Sequence, residues 1–170
     1  MKKIFILLMA VLLTGAGCVT QTQQQSAVNL ANVYQNQKYH ISFKYPGTWT
    51  YKDMSDAGKF SLEFKDKNEV RVLDLVSPAP NIGFEGTEVV AYRSIVTLAD
   101  STTSSFDMLR GCDSVDEQTG KCTVPSQGAN SQIFWKNFLV SFNSSVPNNS
   151  VAEADNFKTF EAVFKSFKSI

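Results

Sequence analysis

Histidine occurs once in these 170 residues, at His40, and cysteine three times, at Cys18, Cys112 and Cys122. A lone imidazole leaves little room for the usual Ser–His or Cys–His nucleophilic machinery. His40 has no marked nucleophile beside it and no Gly-x-Ser-x-Gly elbow occurs, so it is expected to be a solvated strand residue. A phosphate-binding loop is missing too, because Gly83 and Gly86 in Ile82-Gly83-Phe84-Glu85-Gly86-Thr87 are followed by no Lys. Zinc needs four ligands, more than one His and the spare thiols supply, so no metal and no cofactor is expected. Neither sign of charge is in excess, with 16 basic and 16 acidic residues, which excludes a nucleic-acid clamp. Disorder is excluded by a 43% hydrophobic composition that includes 13 Phe.

The chain opens with a targeting pattern. Lys2 and Lys3 precede the apolar run Ile4 to Leu13, which is followed by Thr14-Gly15-Ala16-Gly17-Cys18. A positive start, a short apolar stretch and small residues together read as a secretory signal peptide over residues 1–17. Ten apolar residues make a helix of about 15 Å, half of what a hydrocarbon core requires. Gly15-Ala16-Gly17-Cys18 resembles the bacterial lipobox, in which the Cys is acylated and becomes the new N-terminus; Gly15 stands where that motif normally has an aliphatic residue. Lipidation is therefore expected at Cys18, the alternative being ordinary cleavage near Ala16 that leaves a spare thiol. Cys112 and Cys122 are then left to each other, separated by a short polar loop containing Gly120, and in an oxidising compartment they are expected to form a disulfide. Removing the 17 leader residues, two of them lysines, leaves 153 residues with 14 basic groups against 16 acidic. Such a chain has no polybasic attraction to anionic lipid, so its hold on a membrane rests on acyl chains.

Residues 18–38 read as the lipidated N-terminus and a flexible tether. Gln21 to Gln37 holds six Gln, three Asn and no charge, with a short surface helix through Val28, Leu30, Ala31 and Tyr34 as the alternative. A globular domain is expected over 39–170. Ile41, Phe43 and Tyr45 alternate with polar residues and end at Pro46-Gly47; Phe60, Leu62 and Phe64 do the same and turn at Asp66 to Asn68 into a third strand, Val70 to Val76. Val89 to Leu98 reads as a strand, with a helix as the alternative. Ser101 is expected to start a short helix through Ser104 to Arg110, ended by Gly111. Ile133 to Phe142 reads as one central strand with Phe134, Phe138, Val140 and Phe142 on one face and Trp135 and Leu139 on the other. Phe157, Phe160, Val163, Phe164 and Phe167 recur at helical spacing, which predicts an amphipathic helix over Val151 to Phe167. The expected fold class is α+β, a largely antiparallel sheet with flanking helices.

Tyr39-His40-Ile41-Ser42-Phe43-Lys44-Tyr45-Pro46-Gly47-Thr48-Trp49 resembles the opening strand of the PsbP-like family, and Phe160-Glu161-Ala162-Val163-Phe164-Lys165-Ser166-Phe167-Lys168 is similar to its closing helix. The resemblance implies an α/β/α sandwich. It also implies a role like that of bacterial relatives, which are often tethered lipoproteins, or of photosynthetic members, which dock on a membrane complex. It transfers no active site.

Chemistry-bearing candidates are few. Asp74 lies inside an apolar strand and needs a partner there, with Arg71 and Arg93 available; the expected outcome is a salt-bridged strand residue rather than a catalytic acid. Asp113, Asp116 and Glu117 cluster near the disulfide without the EF-hand spacing, which reads as a solvated acidic loop rather than a calcium site. Phe84, Tyr92 and Trp135 are the candidate binding residues, an exposed aromatic platform for a carbohydrate or a partner protein. The functional expectation is a non-enzymatic binding or docking domain, lipid-anchored on the extracytoplasmic side of a bacterial envelope, with the membrane and an unidentified envelope or extracellular protein as partners and no nucleic acid. The competing readings are a small envelope hydrolase working through carboxylates such as Asp74, and a structural spacer.

Overall fold

The computed structural model describes residues 27–80 and 88–170; the leader, Cys18 and Phe84 lie outside the described residues. Twelve strands and one helix follow in chain order: β1 (Asn32–Asn36), β2 (Ile41–Tyr45), β3 (Thr50–Asp53), β4 (Phe60–Lys65), β5 (Arg71–Ser77), β6 (Val89–Thr97), β7 (Thr103–Arg110), β8 (Cys112–Val115), β9 (Cys122–Pro125), β10 (Ala129–Trp135), β11 (Phe138–Ser144), α1 (Val151–Lys165) and β12 (Lys168–Ser169). Half of the described residues are in strands and 11% are helical, which corrects the expected α+β class: the fold is mostly β. Seven strands form the main sheet in the order β3-β4-β5-β11-β10-β7-β6, three form a smaller sheet in the order β1-β2-β12, and β8-β9 is a separate hairpin. Neighbouring strands pair antiparallel throughout.

The α/β/α sandwich fails because the described residues hold one helix, on one face of the sheet. Ser104 to Arg110, expected to be helical, lies in β7, which is fully paired with β6 from Val89↔Arg110 to Thr97↔Thr103. Its alternation decides the matter: Phe106, Met108 and Arg110 are buried while Thr103 and Ser105 are exposed. A period of two places these side chains on one sheet face, which a helix would scatter. Asn32–Asn36, expected within the tether, is β1, because Tyr34 stacks its ring among Phe43, Phe60 and Phe64 and anchors the segment to β2.

One helix and the small sheet together cover one face of the main sheet. Phe157, Phe160, Val163 and Phe164 of α1 are buried against it. Phe160 stacks on Phe142 of β11 at 5.3 Å, and Phe43 of β2 stacks on Phe167 at 4.5 Å. Burying a Phe side chain stabilises by about 1.5–3 kcal/mol, so the ten buried Phe rings hold the layers together. Ser150 caps α1 by accepting from the Glu153 backbone N–H at 3.1 Å, and Lys165 sits in the last turn, where a cation favours the helix dipole.

Ile133 to Phe142 is a hairpin rather than one strand. Lys136 turns at a φ of 55° and Trp135 pairs with Phe138. The two-residue turn resets the alternation, so Trp135 joins Phe138, Val140 and Phe142 on the core face, while Phe134 pairs with Leu139 on the opposite one. Gly128, just before β10, adopts a φ of +77°, and a Cβ there would lie 2.5 Å from the Ser144 carbonyl oxygen. Only glycine fits that close approach.

Candidate functional site

The residues singled out by the sequence do not meet at one place. Trp135 is buried, packed on Phe138 at 5.8 Å and edge-on to Phe167 at 5.3 Å, so the expected aromatic platform does not form around it. The hairpin turn explains the error, because it moves Trp135 to the core face and leaves Phe134, its neighbour, 53% exposed. Phe84 lies outside the described residues. Tyr92 is half-buried on β6, against Phe157 of α1.

Asp74 is buried on the helix-free face of β5, opposite Glu63 of β4 and Ser141 of β11. Arg71 Nε donates to both of its oxygens, at 2.6 and 2.7 Å, and Asn143 Nδ2 donates to Oδ2 at 3.3 Å. Burial pushes the Asp74 carboxyl above the usual carboxylate range, more than the Arg71 and Asn143 hydrogen bonds pull it down. Arg93, the other candidate partner, pairs instead with Asp107 at 2.9 Å.

Cys112 and Cys122 are joined as a disulfide that staples the β8-β9 hairpin, with their Cα atoms 5.7 Å apart. The acidic residues near it are used locally. Asp113 accepts from Ser126 Oγ at 2.5 Å, and Asp116 Oδ1 accepts from the Gln118 and Thr119 backbone N–H groups and the Thr119 hydroxyl. Those Thr119 hydrogen bonds hold the Asp116 carboxyl below its ordinary range. Among the described residues, no group of three or more His, Cys, Asp or Glu is placed to hold a metal ion, and no helix is long and apolar enough to cross a membrane. His40 turns the chain at a φ of 53°, with Nδ1 3.0 Å from the Ile170 carbonyl oxygen.

A groove of about 760 Å³ opens elsewhere, between α1 and the edge of the main sheet. Its lining comes from one stripe of α1, including Ala154, Phe157, Glu161 and Ala162, together with Ala91 and Tyr92 of β6, Arg110 of β7, and Ala27 and Val28 at the start of the described residues. The stripe runs the full helix, which at 15 residues is about 22 Å long. At the N-terminal end of α1, Arg110 Nη2 donates to Glu153 Oε2 at 2.5 Å, and the same oxygen accepts from the Asn149 backbone N–H at 2.7 Å. Both side chains are more than nine-tenths buried, and Arg110 Nε and Glu153 Oε1 have no hydrogen-bond partner among the described residues. Toward the other end, the Tyr92 hydroxyl donates to Glu161 Oε2, and Lys165 Nζ stands 2.6 Å from Glu161 Oε1. Burial, then the Glu161 hydrogen bond and charge, raise the Tyr92 hydroxyl pKa above its ordinary value. For Glu161, burial alone would raise it, but the hydrogen bonds from Lys165 and Tyr92 together outweigh burial and hold it below the carboxylate range.

Of the residues that line the groove, the sequence singles out Tyr92 but not Arg110, Glu153 or Glu161. Ser150-Val151-Ala152-Glu153 carries the signal of a capping box, a Ser followed three residues later by Glu before an apolar run. Arg110 was hidden by the helical reading of β7.

No family model matches the chain, and no curated protein matches it. Among solved structures, the solution structure of cyanobacterial PsbP (CyanoP) from Synechocystis sp. PCC 6803 is similar at a TM-score of 0.44 and 16% identity, over 82% of this chain and 92% of that one. That likeness is distant, and no statement about the family or function of this chain rests on it.

Proposed function

We propose that the chain is an exported lipoprotein of a bacterial envelope whose folded body acts by binding a partner, without chemistry of its own, and that the α1–β6 groove is where it binds. The observation that carries this reading is the groove itself: about 760 Å³, mainly apolar in its lining, with a few polar groups fixed by buried hydrogen bonds at its ends. Apolar clefts with a small number of placed polar groups are the usual form of a binding site. The carboxylate reading has less support, since both oxygens of Asp74 are engaged by Arg71 and one also by Asn143. The address rests on the residues from Lys2 to Cys18 and is independent of the groove.

Mass spectrometry of the protein extracted from membranes tests the address. The expected result is a mature N-terminus at Cys18 carrying acyl chains, with Cys18→Ser shifting the protein out of the membrane fraction. A full-length, unacylated chain in the soluble fraction of the cell would overturn it.

A further inference from the structure

The described part of the chain begins inside the groove. Ala27 and Val28 line it; Val28 also lines a recess of about 270 Å³ on the other flank of α1, and Asn29 lines that recess but not the groove. Followed from Asn29 back to Ala27, the backbone therefore leaves the recess and heads into the groove. Two contacts just downstream fix this course. Leu30 packs against the core, and the Ala31 Cβ lies 3.4 Å from where a Cβ on Gly47 would stand, in the turn after β2. Eight residues, Val19 to Ser26, separate this point from Cys18. As extended chain they reach about 26 Å, enough to follow a helix stripe of about 22 Å from any point on it to either end.

Charge decides what the groove accepts. Arg110 pairs with Glu153, Lys165 with Glu161 and Lys158 with Asp155, so each ionic group among the described lining residues already has its counter-charge. A charged occupant would lose its water there without gaining a partner. Val19-Thr20-Gln21-Thr22-Gln23-Gln24-Gln25-Ser26 carries no charge. It is also covalently joined to the groove wall, which holds it there at an effective concentration of order mM, so even a weak intrinsic affinity fills the site.

We infer that Val19 to Ser26 lies in the α1–β6 groove as an intramolecular strap, and that a partner binds by displacing it. The apparent affinity of that partner is lowered by the fraction of molecules in which the groove is open. This inference rests on the binding reading above and adds to it that the tether is the groove's resting occupant.

The test is photo-crosslinking within the purified, membrane-extracted protein in detergent, with a benzophenone amino acid at Ala154, an exposed position on the groove wall, or at Ser105 on the helix-free face. Peptide mapping is expected to show an internal adduct between position 154 and residues 19–26, and none from position 105. Replacing Gln21, Gln23, Gln24 and Gln25 together by Asp is expected to reduce that adduct at least fivefold, whereas the same four replaced by Asn retain it. No adduct to residues 19–26, or an equal yield from position 105, would overturn the inference, as would equal losses in the Asp and Asn variants. A partner adduct from 154 in membranes without the internal adduct in the purified protein would leave the binding reading standing and remove the strap. The internal adduct persisting unchanged in membranes, with no partner adduct, would uphold the strap and remove the binding reading.

Discussion

At Glu153 a single residue closes three separate accounts. Its carboxylate accepts from the Arg110 guanidinium and the Asn149 backbone N–H, while the backbone N–H of the same residue donates to the Ser150 hydroxyl that caps the helix. Breaking one side of a buried ion pair strands the other charge, at a cost of about 3–5 kcal/mol. Arg110→Met is therefore expected to lower stability by about that amount, measured by urea denaturation. Glu153→Gln in the same background is expected to restore a large part of it, because the stranded charge disappears while the side-chain oxygen still accepts from Asn149. Additive losses in this cycle would contradict the pairing. Asp74 gives a second residue-scale expectation with a definite sign. Its carboxyl titrates above the usual range in the folded state, chiefly through burial, so the folded protein binds that proton more tightly than the unfolded one. The stability it contributes is present at low pH and is lost as pH rises through its folded pKa. Unfolding free energies of the protein and of Asp74→Asn, compared between pH 3 and 7, should show the difference in favour of the natural residue shrinking as pH rises. A difference that grows with pH would contradict it.

Among the elements, the β8-β9 hairpin depends most on a covalent link. Val115 and Val124 are exposed, and the hairpin adds no residue to the buried core. Closing a loop of this length restricts the unfolded chain by about 2–3 kcal/mol, so Cys112→Ser with Cys122→Ser should lower the unfolding free energy, measured by urea denaturation, by about that amount. Amide exchange should speed up more in β8 and β9 than in β5 and β11, whose core amides follow the global unfolding free energy alone; an equal change in both pairs would contradict a local role for the link. Elements with a simple period were legible in the sequence: β2, β4 and α1 follow their apolar spacing closely. Two others were not, for physical reasons. In β7, Ser104, Ser105 and Asp107 dilute the alternation, and the pairing of each with β6 restores what the local pattern leaves open. In β10 and β11 a two-residue turn through Lys136 and Asn137, without glycine, gives no local sign that the strand doubles back, and every side chain beyond it changes face. The site suffered most from these two errors, since one hid Arg110 and the other promoted Trp135 to the surface.

Across the whole molecule, the two faces of the main sheet differ in kind. One is sealed by α1 and the small sheet, with Phe43, Phe64, Phe142, Phe164 and Phe167 fully buried between. The other carries polar residues of β4, β5 and β7 with scattered apolar ones, Phe134 and Ile95 among them. Scattered exposed apolar residues are ordinary on protein surfaces, whereas a continuous groove between a helix and a sheet is the usual form of a binding site. The measurement that tests the account most directly is site-specific photo-crosslinking in intact membranes, with a benzophenone amino acid placed at Ala154 in the groove or at Ser105 on the helix-free face. The account predicts a discrete partner adduct from position 154, abolished by Ala162→Trp, and none from position 105. The same adducts from both positions, or none from 154, would contradict it.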